Sequence, residues 1–263
     1  MEKQKARAKT LLLFMTVTFS VVLWVSASGQ SRRDSKNYKS GSRNAAENQQ
    51  MPVTPYDTAQ PHDRTVKSAR FNQPGGEVID EGVQPLPLIT HWWWGMSAFP
   101  TERSDAVVIG EVVKGRAYLS SDKTSIYSEF TVQLEKVFKA DGTTGLSEGD
   151  LMNVERPGGG VQFASGRIHY YRIGNQNLPR VGHRYLLFLK LNDPPEDFSI
   201  VTGYELQNGR VSHLDNVEVF EAYDQHPETE LLNLVRSAVS RESAKPIKKG
   251  GQNQAVTKLL GAL

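Results

Sequence analysis

Between Asp105 and Leu191 the chain combines an alternating apolar–polar run with short fully apolar runs, and that pattern reads as a β-rich body. Phe130, Val132 and Leu134 alternate with Thr131, Gln133 and Glu135, so one face of that strand is apolar and the other polar. Ala106 to Ile109 and Tyr185 to Leu189 are apolar at every position, as in strands covered on both sides or curled into a barrel. Those two runs are expected at the centre.

The remaining elements follow in order. Asp105 to Leu119 and Ile126 to Lys139 read as long strands joined by the polar turn Ser120-Ser121-Asp122-Lys123. Gly110 marks the place where the first strand bends, because a residue without Cβ absorbs the coil at little steric cost. Leu151 to Glu155, Arg167 to Ile173 and His183 to Leu191 are shorter strands, and Asn208-Gly209 signals a terminal hairpin. Pro227 opens a helix in which Leu231, Leu232, Val235 and Val239 recur at helical spacing, with Glu228 and Glu230 favourably placed in its first turn.

The ends of the 263-residue chain differ from this body. Lys3, Lys5, Arg7 and Lys9 precede the apolar run Leu11 to Val25 and the small residues Ser26-Ala27-Ser28-Gly29, the layout of an export signal. Residues 1–29 are expected to be a signal peptide cut after Ala27 or Gly29. The alternative is an uncleaved membrane tether through residues 11–27, with the body outside the cytoplasm. Residues 30–87 are rich in Ser, Asn, Gln, Pro and Gly, and are expected to be a disordered linker. The β domain then spans 88–240, and 241–263 is a flexible tail.

Composition excludes several chemistries. The chain has no cysteine, so thiolate zinc sites, cysteine nucleophiles and stabilising disulfides are all ruled out. From His91 to Ser240 there are 14 basic and 20 acidic residues, while residues 30–45 and 241–263 each carry a net charge of +4. An acidic body with basic ends is the wrong distribution for a nucleic-acid binder. No cofactor is indicated. Histidines 62, 91, 169, 183, 213 and 226 form no metal-binding motif, and His169 with His183 is the one pair that neighbouring strands would bring together. Glu129 and Glu135, or Asp193 and Asp197, read as solvated charges.

Candidate binding residues lie in three places. Trp92, Trp93 and Trp94 form the densest aromatic cluster, either a partner platform or a plug over the barrel; in an extended segment Trp92 and Trp94 would share a face. Arg156, Gly158 and Gly159 belong to Arg156-Pro157-Gly158-Gly159-Gly160, which lacks the Gly-Lys-Ser/Thr of a phosphate loop and reads as a bulged turn. Asn175 and Asn177 sit in a polar loop. No catalytic or metal residues are assigned.

Taken together, Asp105 to Val112, Phe130 to Lys139 and Val181 to Leu189 resemble exported bacterial proteins of unknown function whose barrel is of the netrin-like, metalloproteinase-inhibitor-like OB type. The expected fold class is mainly β: a small OB-like barrel of about five strands plus a hairpin, with a C-terminal amphipathic helix. Inhibitors of that type reach the target zinc through an N-terminal cysteine, which this chain lacks. The expectation is an exported, non-enzymatic module that binds a protein or small ligand at the cell envelope. The alternatives are an inhibitor or accessory module for an exported enzyme, and a hydrolase using His169, His183 and nearby carboxylates.

Overall fold

Period-two burial translates directly into strands in the computed structural model, which describes residues 51–60, 64–140, 145–192 and 197–244. The elements in chain order are β1 (Val53–Pro55), a 3-10 turn (Tyr56–Ala59), α1 (Thr65–Ala69), a second 3-10 turn (Thr101–Arg103), β2 (Ala106–Leu119) and β3 (Ile126–Ala140). They continue with β4 (Leu151–Pro157), β5 (Gly159–Gln162), β6 (Ile168–Tyr171), β7 (Arg184–Asn192), β8 (Asp197–Gln207), β9 (Arg210–His213), α2 (Glu218–Glu221) and α3 (Glu228–Ser243). The protein is mainly β.

The larger sheet runs β4-β3-β2-β7-β8-β9, and β4 also pairs in parallel with β8 through Val154–Phe198 and Glu155–Ser199. Hydrogen-bonded neighbours therefore form a ring, from β4 through β3, β2, β7 and β8 back to β4. The fully apolar runs lie at its middle, where β2 and β7 pair antiparallel from Ala106–Leu189 to Glu111–Arg184. Their alternate residues enter two different cores. Ala106, Val108, Leu187 and Leu189 pack with Phe130, Val132, Val154 and Ile200 on one side, while Val107, Ile109, Leu186 and Phe188 pack with Phe220, Leu231 and Val235 on the other. Each fully buried side chain of this size contributes roughly 1.5–3 kcal/mol, which is why both faces of these strands are apolar.

Gly110 sits at a register shift of β2 against β3, and a Cβ there would lie 2.5 Å from both Gln133 O and Val132 Cγ1. Asn208 and Gly209 both take positive φ, 53° and 71°, the requirement of the two-residue turn joining β8 to β9. α3 lays Leu231 and Val235 into the outer core behind Pro227.

Two expectations need correction. The strand expected over Arg167 to Ile173 does not join the main sheet; β6 pairs with β5, and β5 with β1, in a separate three-stranded sheet. The disordered linker expected over 30–87 is also corrected at the described residues 51–60 and 64–87, which pack on the sheets, so the body begins well before residue 88. β1 pairs in parallel with β5, Thr54 Oγ1 accepts a hydrogen bond from Ala117 N at 3.0 Å, and Ala59, Phe71 and Ile79 are buried. A few deep anchors and long-range ion pairs offset the ordering entropy here, and neither leaves a periodic trace.

Residues 1–50 and 245–263, on which the export signal, the tether and most of the tail were placed, lie outside the described residues. Among the described residues no helix is long and apolar enough to cross a membrane.

Candidate functional site

The Trp cluster forms a turn, not an extended strand. Trp94 N donates to His91 O and Met96 N to Trp93 O, both at 3.0 Å, and Gly95 takes a φ of 69°. Trp92 and Trp93 consequently turn inward, half-buried against the outer core, with their rings edge to face at 5.7 Å. Trp92 Nε1 donates to Gly174 O at 3.1 Å and its ring stacks on Phe220 at 6.4 Å. Trp94 stays 78% exposed.

The same segment carries two further exposed apolar side chains, Leu86 at 82% and Ile89 at 85%. The backbone between them is fixed. Leu88 N donates to Arg172 O and Leu88 O accepts from Gly174 N, both at 2.8 Å, while Arg103 donates to Gly95 O at 3.1 Å. Residues 86–96 thus hold Leu86, Ile89 and Trp94 outward from an anchored backbone.

Arg156, Gly158, Gly159 and Asn177 do not form a ligand surface in this arrangement. Arg156 is fully buried and donates to Asp215 Oδ1 at 2.8 Å, Asp215 Oδ2 at 2.7 Å, Val201 O at 3.1 Å and Asn177 O. Asn177 N donates to Asp215 Oδ1 at 2.9 Å and its amide to Leu214 O at 2.8 Å; Thr202 Oγ1 donates to Asp215 Oδ2 at 2.8 Å. The Trp92 ring lies 5.6 Å from the Arg156 guanidinium. Gly158 and Gly159 are buried with φ of 116° and 139°, and a Cβ on Gly159 would meet Ser128 Oγ at 2.7 Å. Only Asn175, at a φ of 60°, is exposed. A buried charge needs this many donors and acceptors, so the cluster closes the fold instead of offering itself to solvent.

The histidines occupy separate environments. His169, on β6, is buried with its ring edge 4.9 Å from Phe163, and its Nδ1 has no hydrogen-bond partner. His183 precedes β7, with Nδ1 2.8 Å from Glu205 Oε1. Burial opposes the Glu205 charge, but hydrogen bonds from Arg180 and His183 outweigh it and hold the carboxyl below its ordinary range. A shallow cavity of about 390 Å³ opens beside His183 and Arg180, lined also by Met51, Pro52 and Gly115. Arg180 and His183 are both already committed to Glu205. Among the described residues no group of three His, Asp or Glu is placed to hold a metal ion.

Sequence reasoning missed one cluster altogether. Glu129 on β3, Glu155 on β4 and Asp197 on β8 converge on Arg64, Lys67 and Arg70 around α1. Glu129 and Asp197 were expected to be solvated, yet their side chains are only 12% and 9% exposed. Burial, followed by the Asp197 charge, pushes Glu155 up to about 7, against the opposing pull of Lys67 and Arg70. The available signal was the spacing Arg64-x-x-Lys67-x-x-Arg70, which aligns three cations along one side of a helical turn.

No protein-family model matches this chain, and no curated protein matches it.

Proposed function

We propose that this chain is an exported, non-enzymatic β-barrel module of the OB type that binds a protein partner outside the cytoplasm through Leu86, Ile89 and Trp94. The observation that carries the reading is their exposure, 82%, 85% and 78%, on a backbone hydrogen-bonded to the body. Large apolar groups exposed along one anchored segment gain free energy when a partner covers them, and little ordering entropy is lost in doing so. Trp94 is the anchor, since an indole brings a large contact area with few rotatable bonds.

The ring of pairings through β4, β3, β2, β7 and β8 supports the OB-type barrel. The basic, apolar and small-residue succession in residues 1–29 supports export, with retention as a membrane tether the other outcome of the same signal. The acidic charge of the body supports a protein partner over a nucleic acid.

Site-specific photocrosslinking in the producing cells tests the reading. A photoreactive residue at position 94 or 89 should give the same discrete protein adduct, and one at exposed Val113 of β2 should not. Trp94→Ala should abolish the adduct formed from position 89 without changing Tm. Equal adduct patterns at 94, 89 and 113 would overturn the proposal.

A further inference from the structure

Three carboxylates on three strands converge on a single groove, and one short segment of the chain fills it. Lys67 Nζ lies 3.2 Å from Glu129, 3.4 Å from Glu155 and 2.6 Å from Asp197. Arg70 Nη2 reaches Glu155 at 2.7 Å and Asp197 at 2.9 Å, and Arg64 pairs with Glu129. Phe71 follows immediately and stacks on Tyr127, with ring centroids 4.1 Å apart and planes 5° from parallel. The bound segment therefore presents cations at i, i+3 and i+6 and an aromatic ring at i+7.

We propose that this acid-lined groove is a binding site for cationic peptide segments, and that residues 64–71 occupy it as a built-in ligand that a basic partner displaces. The inference rests on this ion-pair geometry and is independent of the role assigned to Trp94.

The division of labour between groove and occupant supports it. Glu129, Glu155 and Asp197 project from β3, β4 and β8, which pair with other strands whether or not the groove is filled. The occupant is different. α1 has five residues, too few for a helix to persist alone, and Val66 between its cations is 66% exposed. The ion pairs hold its cations, while Ser125 Oγ donates to Phe71 O, Ser121 N to Ser68 O and Gln73 N to Thr124 Oγ1, so a competitor must offer the same charges and displace these few bonds as well.

Charge explains why the groove requires an occupant. Asn192 Nδ2 donates to Glu155 at 2.9 Å and to Asp197 at 3.1 Å, which places those two carboxylates side by side. Without cations they would repel one another in a poorly hydrated site, a state costly enough that an empty groove is avoided. The same sign of charge rejects nucleic acid and anionic lipid.

The segment also leaves bonding capacity unused. Glu155 Oε2 and Tyr127 Oη are both buried and have no hydrogen-bond partner, and the Tyr127 hydroxyl lies close enough to Glu129, Arg64 and Glu155 to sense their charges. An ammonium at the Lys67 position stops 3.4 Å from Oε2, whereas a planar guanidinium carries more donors in a fork suited to carboxylates. The groove is accordingly expected to prefer Arg at that position over its own Lys.

A fluorescent synthetic peptide with the sequence of residues 62–74, carrying Arg in place of Lys67, is the probe. The full chain with Lys67→Gln and Arg70→Gln should bind it about tenfold more tightly than the unaltered chain, because its own segment no longer competes. Adding Glu129→Gln and Asp197→Asn should remove that gain. A Lys67→Gln/Arg70→Gln chain that still melts cooperatively but binds no better overturns the proposal, as does binding that survives carboxylate neutralisation. Should that variant fail to fold, Ser68→Cys in the otherwise unaltered chain provides a second readout, since Ser68 is fully buried and the chain has no other thiol. The thiol-labelling rate should rise severalfold with excess peptide and not with the same peptide carrying Gln for its cations. An unchanged rate overturns the proposal.

Discussion

Arg156 grips both carboxylate oxygens of Asp215, at 2.8 and 2.7 Å, and neither side chain is exposed. β4 is thereby tied to the chain just after β9, and the bond from Arg156 to Asn177 O draws in the loop before β7. Asp215 also accepts from Asn177 N and Thr202 Oγ1, while Arg156 Nε is left without a partner among the described residues; a pair deprived of either member leaves an isolated buried charge.

Removal of one member should therefore cost far more than the pair contributes. Asp215→Ala is expected to destabilise the chain by roughly 3–5 kcal/mol, and an apolar double replacement at 156 and 215 by markedly less. Urea unfolding of the two single variants and the double variant measures this as a coupling energy. Additive losses would show that the pair is not the reason for the burial.

Glu155 makes stability depend on pH in an unusual direction. Its folded pKa of about 7 lies above the ordinary 4.5, so between those values the folded chain keeps a proton that the unfolded chain sheds. Stability should fall as pH rises from 4.5 to 7 and level off above, by at most about 3 kcal/mol from this group. Glu155→Gln should flatten that part of the profile, so its stability relative to the unaltered chain improves towards pH 8. Parallel urea-midpoint profiles for the two proteins would refute the assignment.

Glu205 works the other way. Held below its ordinary range by Arg180 and His183, it contributes stability that is present above pH 4.5 and is lost as pH falls through its lowered folded value. Glu205→Gln should therefore be least harmful in acid, measured as the difference in Tm from the unaltered chain at pH 3 and pH 7.

Trp92 and Trp94 should separate cleanly. Trp92→Ala removes a hydrogen bond to Gly174 O, a stack on Phe220 and the cover over Arg156, and should cost about 2–4 kcal/mol. Trp94→Ala, at a largely exposed site, should stay within about 0.5 kcal/mol of the unaltered chain. Thermal melts of both variants decide the matter.

Gly110→Ala tests the bend in β2. The added methyl would sit 2.5 Å from Gln133 O, a backbone atom that cannot rotate away, so a loss of about 1–3 kcal/mol or more is expected. Chemical denaturation supplies the number.

Much of this architecture was legible in the chain alone. Period-two and fully apolar runs identified β2, β3 and β7, because a strand's side chains alternate between faces whatever those faces later touch. Asn208-Gly209 specified its turn through the positive φ that only a few residues tolerate, and Pro227 with the Leu231–Val235 spacing located α3. Tertiary structure alone decided who meets whom. Arg156 stood among the candidate binding residues of a bulged turn until Asp215, 59 positions away, enclosed it. Arg64, Lys67 and Arg70 looked like linker charges until Glu129, Glu155 and Asp197 met them from three strands. Periodicity records which face of an element is buried; it carries no information on which distant charge is buried beside it, and that pairing determines whether a polar residue closes the fold or remains free to bind.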